Sequence, residues 1–238
     1  MKFKRIYLLI LFVLLIVIST NTIEVNAMNT EFSTEELSEE TKASFVSNIN
    51  VSPLSAEPKK RGILCFDVNE QGMIAVGQSD SQRKTVCVYT SQGEFLYGYT
   101  FNCTQSFCVE WAEQHINIYF IRSDVIISLD PDGNILDIKR VQVTVDNNSY
   151  ITSLLYSTTR TAGNTTYIIR NDMGIFNWIA PSFSQIVTID SAGTESIVYD
   201  VNSMQLAKMI VTVSLICVFI LIAIAVLFWQ FIKFRRGN

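Results

Sequence analysis

An all-β domain followed by one membrane-spanning helix is the fold class this sequence predicts, and three observations carry it. Twelve short runs rich in β-branched and aromatic residues fall between Gly62 and Val201, each bounded by turn residues. A unit of about 40–50 residues recurs three times in that stretch. Met209 to Trp229 is a run of 21 residues without a charge, long enough to cross a bilayer.

The first 27 residues read as a secretory signal peptide. Lys2, Lys4 and Arg5 precede thirteen apolar residues, Ile6 to Ile18, and Val25-Asn26-Ala27 is a small-residue cleavage site. Thirteen helical residues reach only ~20 Å, short of a ~30 Å hydrocarbon core. Residues 28–61 then read as a disordered acidic arm. Glu35, Glu36, Glu39 and Glu40 cluster among Ser, Thr and Asn, and apolar residues keep no period. A short helix over Ser33–Ala43, capped by Ser33 or Thr34, is the one regular element expected there.

Residues 62–201 form the β-rich domain. The strands expected are Ile63–Val68, Met73–Val76, Thr85–Tyr89, Glu94–Phe101, Phe107–Trp111, Ile116–Ile121, Val125–Leu129, Ile135–Val141, Tyr150–Tyr156, Thr166–Ile169, Gln185–Ile189 and Glu195–Val201. No helix is expected among them. The repeat is visible in Tyr119-Phe120-Ile121-Arg122-Ser123-Asp124 against Tyr167-Ile168-Ile169-Arg170-Asn171-Asp172, identical at four of six positions. Ser128-Leu129-Asp130-Pro131-Asp132-Gly133 matches Thr188-Ile189-Asp190-Ser191-Ala192-Gly193, with a looser copy at Val88–Gly93. Leu64-Cys65-Phe66-Asp67-Val68 also matches Phe107-Cys108-Val109-Glu110-Trp111. The Asp-x-x-Gly element is turn chemistry: Asp caps the turn through its side chain, and Gly takes the positive φ that closes the hairpin. Arg122 and Arg170 are expected to pair with Asp124 and Asp172 and brace equivalent corners.

A four-stranded antiparallel unit closing on such a hairpin resembles a blade of the six-bladed β-propellers of the NHL or TolB type. The resemblance covers Gly62 to Val201. It implies three four-stranded antiparallel propeller-like repeats, a partial propeller with two open sheet edges. Such a half-ring is completed by a second copy, by another subunit, or by local cover over its edges.

The third repeat carries twelve extra residues, Met173–Ser184, with Phe176, Trp178 and Phe183. Aromatics are favoured at binding surfaces, so these three are the candidate partner contact, with the open edges second. The alternative is that the insertion folds over an edge. The domain ends close to the span, so the insertion is also within reach of lipid headgroups.

The membrane helix is expected over 207–230, with a short basic tail over 231–238. Lys233, Arg235 and Arg236 follow the apolar run, and the positive-inside rule then places the C-terminus in the cytoplasm and the domain outside. The localisation expected is a cell membrane, single-pass, with the domain extracytoplasmic.

Between Met28 and Gln205 there are 21 acidic and 11 basic residues, a net of −10, which argues against nucleic acid as a partner. Cys65, Cys87, Cys103 and Cys108 are candidates for two disulfides in an oxidising compartment, by any of three pairings. Zinc is not expected, because Cys-x-x-Cys is missing and His115 is the single histidine. Asp130, Asp132 and Asn134 are a candidate cation site, weighed against a hairpin turn; Gly133 falls out of EF-hand register. No nucleophile, base and orienting partner stand at a recognisable spacing, and no cofactor is expected.

The function expected is a membrane-anchored extracytoplasmic binding or assembly module, with a protein partner or a second copy. The alternatives are an envelope hydrolase subunit using carboxylates such as Asp130 and Asp132, and a sensor acting through a membrane partner.

Overall fold

The computed structural model describes residues 28–80 and 83–236. The signal-peptide reading over 1–27 lies outside the described residues. The described residues form fourteen strands in three antiparallel sheets, with three α-helices. In chain order these are β1 Thr34–Glu36, α1 Glu39–Ile49, β2 Ser52–Pro53, β3 Ile63–Val68, β4 Ile74–Asp80, β5 Arg83–Tyr89, β6 Phe95–Asn102, β7 Phe107–Ala112, β8 His115–Phe120, β9 Val125–Leu129 and β10 Ile135–Val141. There follow α2 Val145–Tyr156, β11 Thr159–Ala162, β12 Thr165–Arg170, β13 Gln185–Ile189, β14 Glu195–Asp200 and α3 Asn202–Arg236.

Each repeat is one four-stranded meander: β3 to β6, β7 to β10, and β11 to β14. The turn between third and fourth strands is built the same way in all three. Asp130 Oδ1 accepts from the N–H groups of Asp132 (3.0 Å) and Asn134 (2.8 Å), and Asp190 Oδ1 from those of Ala192 (2.8 Å) and Thr194 (2.9 Å). Thr90 Oγ1 takes the same place in the first sheet, accepting from Gln92 and Glu94. Gly93, Gly133 and Gly193 follow at φ +83°, +85° and +80°, which glycine adopts without a Cβ penalty.

The sheets stack, and the order of stacking differs from the order in the chain. Side chains alternate across a strand. Cys65, Ala75, Val86, Val88, Tyr99 and Phe101 on one face of the first sheet pack with the second sheet. Phe66, Val68, Ile74, Val76, Cys87 and Tyr89 on the other face pack with Tyr167, Ile169, Ile186 and Tyr199 of the third. The first sheet is therefore the middle layer, and α2 carries the chain from the second sheet across to the third. The three sheets do not close into a ring.

The 28–61 segment is not a disordered arm; it is folded cover. β1 pairs with β10, setting Glu35 opposite Arg140 and Glu36 opposite Lys139. Two acids of that cluster thus meet cations, with Glu35–Arg140 at 3.7 Å and Glu36–Lys139 at 3.5 Å. The expected helix exists but starts later, at Glu39, because Ser38 is the cap and accepts from Thr41 N–H. Phe45 on α1 meets Phe120 edge-on at 5.2 Å, and β2 adds to the outer edge of β6. Phe32 is buried against Tyr119 and Tyr150.

The Tyr150–Tyr156 strand expected from composition is instead the second half of α2. Thr144 caps it, accepting from Asn147 N–H, and Asp146 lies in its first turn. Tyr150, Ile151, Leu154 and Leu155 recur at helical spacing and pack on the core shared by the first two sheets. The first strand of the third repeat is then β11, a short polar run that composition does not announce.

α3 is long and apolar enough to span a membrane, and its most apolar stretch is uncovered by protein. It leaves β14 after Val201 and runs unbroken to Arg236, so the described part of the expected tail is helix.

Candidate functional site

The first strands of the three repeats meet at one carboxylate. Asp67 lies on β3; its Oδ2 accepts from the Trp111 N–H of β7 at 2.7 Å, and its Oδ1 from Arg160 Nε of β11 at 2.8 Å. The guanidinium also donates to the carbonyls of Thr159 and Leu154 and lies 5.2 Å over the Phe66 ring. Beside it, Glu110 accepts from Tyr150 Oη (2.6 Å), Thr30 Oγ1 (2.8 Å) and Asn117 Nδ2 (3.2 Å). Asp67, Glu110, Trp111, Arg160, Tyr150 and Thr30 wall an open cleft of about 480 Å³.

Burial raises the Asp67 carboxyl above its ordinary value, opposed by the Trp111 N–H and the Arg160 charge. Burial likewise pushes the Tyr150 hydroxyl up. Both Asp67 oxygens and both Glu110 oxygens are engaged by donors. A general acid or base needs a proton it can exchange with substrate; here the carboxylates hold three sheets and the N-terminal segment together. Sequence reasoning did not single out this junction. Its signal was a lone charge in the middle of each apolar first strand, Asp67 and Glu110, at equivalent repeat positions.

Asp130, Asp132 and Asn134 come together as a turn. Besides the two N–H bonds on Oδ1, Asp130 Oδ2 accepts from Asn134 Nδ2 at 2.8 Å. The lone pairs a cation would take are directed at donors, and Asn134 presents its amide N–H to the carboxylate. The candidate cation site is thus a hairpin brace, on an exposed turn rather than in a cleft. No group of three acidic, His or Cys side chains suited to a metal occurs among the described residues. Arg170 pairs with Glu195 at 3.1 Å instead of Asp172, and Asp124 accepts from the Tyr119 hydroxyl instead of pairing with Arg122. Cys65, Cys87, Cys103 and Cys108 are separate buried thiols with no disulfide between them. Burial drives the Cys65 and Cys87 thiols up to about 12.

The aromatic insertion divides. Phe183 is half-buried and packs against the core shared by the first and third sheets, and its backbone bridges Ile63, with N–H to carbonyl distances of 2.8 and 3.0 Å. Phe176 is half-buried. Trp178 is 83% exposed on a 3₁₀ turn, Gly174–Ile179, together with Ile175 at 78% and Ile179 at 37%. The two isoleucines were not among the sequence candidates.

Both ends of the insertion are fastened to the first turn of α3. The Asn202 side chain accepts from the Asp172 N–H and donates to the Asp172 carbonyl. The Gln205 side chain donates to Ser182 Oγ and the Phe183 carbonyl. Pro181 and Ser182 line a cleft of about 300 Å³ together with Met204, Lys208 and Met209.

The outer edges of the sheets also differ. β2 covers the first and β1 the second, whereas β14 pairs only with β13 among the described residues. Ile197, mid-strand on β14, is 53% exposed. Compared with known proteins, the chain matches no family model and no curated protein sequence.

Proposed function

We propose that this is a single-pass membrane protein whose β-rich domain is an extracytoplasmic binding or assembly module, and that it takes a partner protein by strand addition to β14. The outer edge of the third sheet, which no further strand pairs among the described residues, carries this reading. An edge strand offers a row of backbone donors and acceptors ready to pair, and the other two sheets have theirs capped from within the chain. The stacking supports a partner other than a ring-completing second copy, because Phe32 and α2 already cover the far face of the second sheet. The basic residues Lys233, Arg235 and Arg236 at the end of α3 support an outside position for the domain.

The test is site-specific photocrosslinking of the full chain in its native membrane. A crosslinker at Ile197 should yield a discrete protein adduct that one at Leu136, 48% exposed, does not. The adduct should vanish when Ser196 is changed to Lys, a charge that blunts an edge. Equal adducts from both positions, or none from Ile197, would sink the reading.

A further inference from the structure

We propose that the turn Gly174–Ile179 is a second membrane contact, seating Ile175, Trp178 and Ile179 in the lipid interface beside the span. The inference rests on α3 being the membrane span, and is independent of any strand partner.

Four observations converge on it. Ile175 and Trp178, at 78% and 83% among the most exposed apolar side chains of the domain, stand with Ile179 on this turn, in a stretch from Met173 to Ile189 that has no charged residue. A turn that size is ordinarily polar, and an exposed apolar cluster calls for an occupant. The stretch cannot swing away, because Asn202 holds Asp172 at one end and Gln205 holds Ser182 and Phe183 at the other. The segments flanking the turn also reach the right depth. Asn202 lies seven residues before Met209, where the charge-free run begins, or ~10 Å along a helix. Pro181 and Ser182 share a cleft with Lys208 and Met209, so the insertion runs down beside the helix as far as the edge of the apolar run.

The side chains suit that depth. An indole has an apolar body and one N–H, which is why tryptophan collects at the boundary between hydrocarbon and water. Lys208 at the same level offers a cation to phosphate headgroups. A partner protein on this turn would have to share the space with lipid surrounding α3, whose apolar stretch is otherwise uncovered.

Tryptophan fluorescence of the full chain reconstituted in phosphatidylcholine vesicles tests this, with lipids brominated near the top of the acyl chains as contact quenchers. The chain has three tryptophans. Trp229→Phe leaves Trp178 and Trp111, Trp178→Phe leaves Trp229 and Trp111, and the double variant gives the Trp111 background. The expected result is loss of Trp178 emission to the shallow quencher, above that background. If Trp229 is quenched and Trp178 is not, the span stands and the second contact is overturned. Trp178 that lipid spares but that is also shielded from aqueous acrylamide would mean protein covers the turn, which overturns it too. If neither is quenched, the span reading fails and the inference falls with it.

Discussion

Arg160 Nε donates to Asp67 Oδ1 at 2.8 Å, and this one bond joins strands 93 residues apart, the first of the first repeat and the first of the third. Both side chains are largely out of water, at 15% and 14% exposure. Removing one partner of a buried pair leaves the other charge uncompensated, at a cost of about 3 kcal/mol. Arg160→Ala should lower stability by that order, read as a fall in the urea midpoint. The pH dependence has a sign. A carboxyl whose pKa is raised in the fold binds its proton more tightly folded than unfolded. Stability therefore falls as pH climbs from the ordinary carboxylate value through the Asp67 value, and is level above it. In Arg160→Ala the opposing cation is gone, so the falling window should extend to higher pH.

The Asn147 side chain holds the N-terminal cover in place. Its Oδ1 accepts from Ser33 N–H at 2.9 Å, and its Nδ2 donates to the carbonyls of Ser33 (2.9 Å) and Gln142 (2.6 Å). Asn147→Ala should cost about 2–4 kcal/mol through buried backbone groups left unpaired. Hydrogen exchange should then rise first over β1. Asn147 also begins an Asn-x-Ser sequence, but it is 2% exposed with its amide spent, so a glycan there is incompatible with the fold. Mass spectrometry of protein made in a glycosylating host should find Asn147 unmodified.

Two glycines in equivalent turns separate conformational strain from contact. At Gly193 a Cβ would meet nothing within 4 Å, whereas at Gly93 it would lie 2.1 Å from the Val198 carbonyl oxygen. Both have φ near +80°, so both alanine variants carry the same strain, about 1–2 kcal/mol. Gly93→Ala should cost clearly more than Gly193→Ala, since the turn of the first sheet must also part from β14. Thermal melts of the two variants make the comparison.

Acid should loosen one class of turn and spare another. At Asp190 the backbone N–H of Thr194, foremost, holds the carboxyl below its ordinary value. A depressed carboxyl contributes above its unfolded pKa, and that contribution is lost as pH falls through the folded value. Intrinsic-rate-corrected amide exchange at Ala192 and Thr194 should speed up there. The Thr90 turn, capped by a hydroxyl, should not respond.

Thiol labelling reports whether the core is closed. Cys65 and Cys87, pushed up to about 12 by burial, should stay unmodified by maleimide at neutral pH until the chain unfolds. Rapid labelling of either in the native protein would contradict the packing described.

Most strands were legible because a half-buried or buried strand must repeat β-branched and aromatic residues. Ile63–Val68, Val125–Leu129, Ile135–Val141 and Gln185–Ile189 stand where the pattern puts them. β11, reading Thr-Arg-Thr-Ala, was not legible, because it is held by Arg160 and by its pairing with β12 rather than by apolar burial. α2 was misread because Tyr150 and Ile151 are good strand formers, and the four-residue spacing to Leu154 and Leu155 was the stronger signal. The N-terminal cover has few apolar residues, and its order comes from the edges it covers. At the candidate sites, turn chemistry was legible around Asp130, but burial was not. Nothing in an aromatic-rich insertion tells Phe183, which packs against the core, from Trp178, which stands in the open.

The stacking order has a consequence for a chain that emerges from the ribosome N-terminus first. The middle layer is made first, and the sheet that closes over Phe66, Val68, Ile74 and Val76 is made last. Its final strand, β14, is followed directly by α3. The nascent domain thus carries a wet apolar wall through most of its synthesis, and shuts only as α3 arrives. A chain cut short before β12 would display that wall, the kind of surface that chaperones and proteases recognise. Completion of the fold and emergence of the span-length helix are in this way one event.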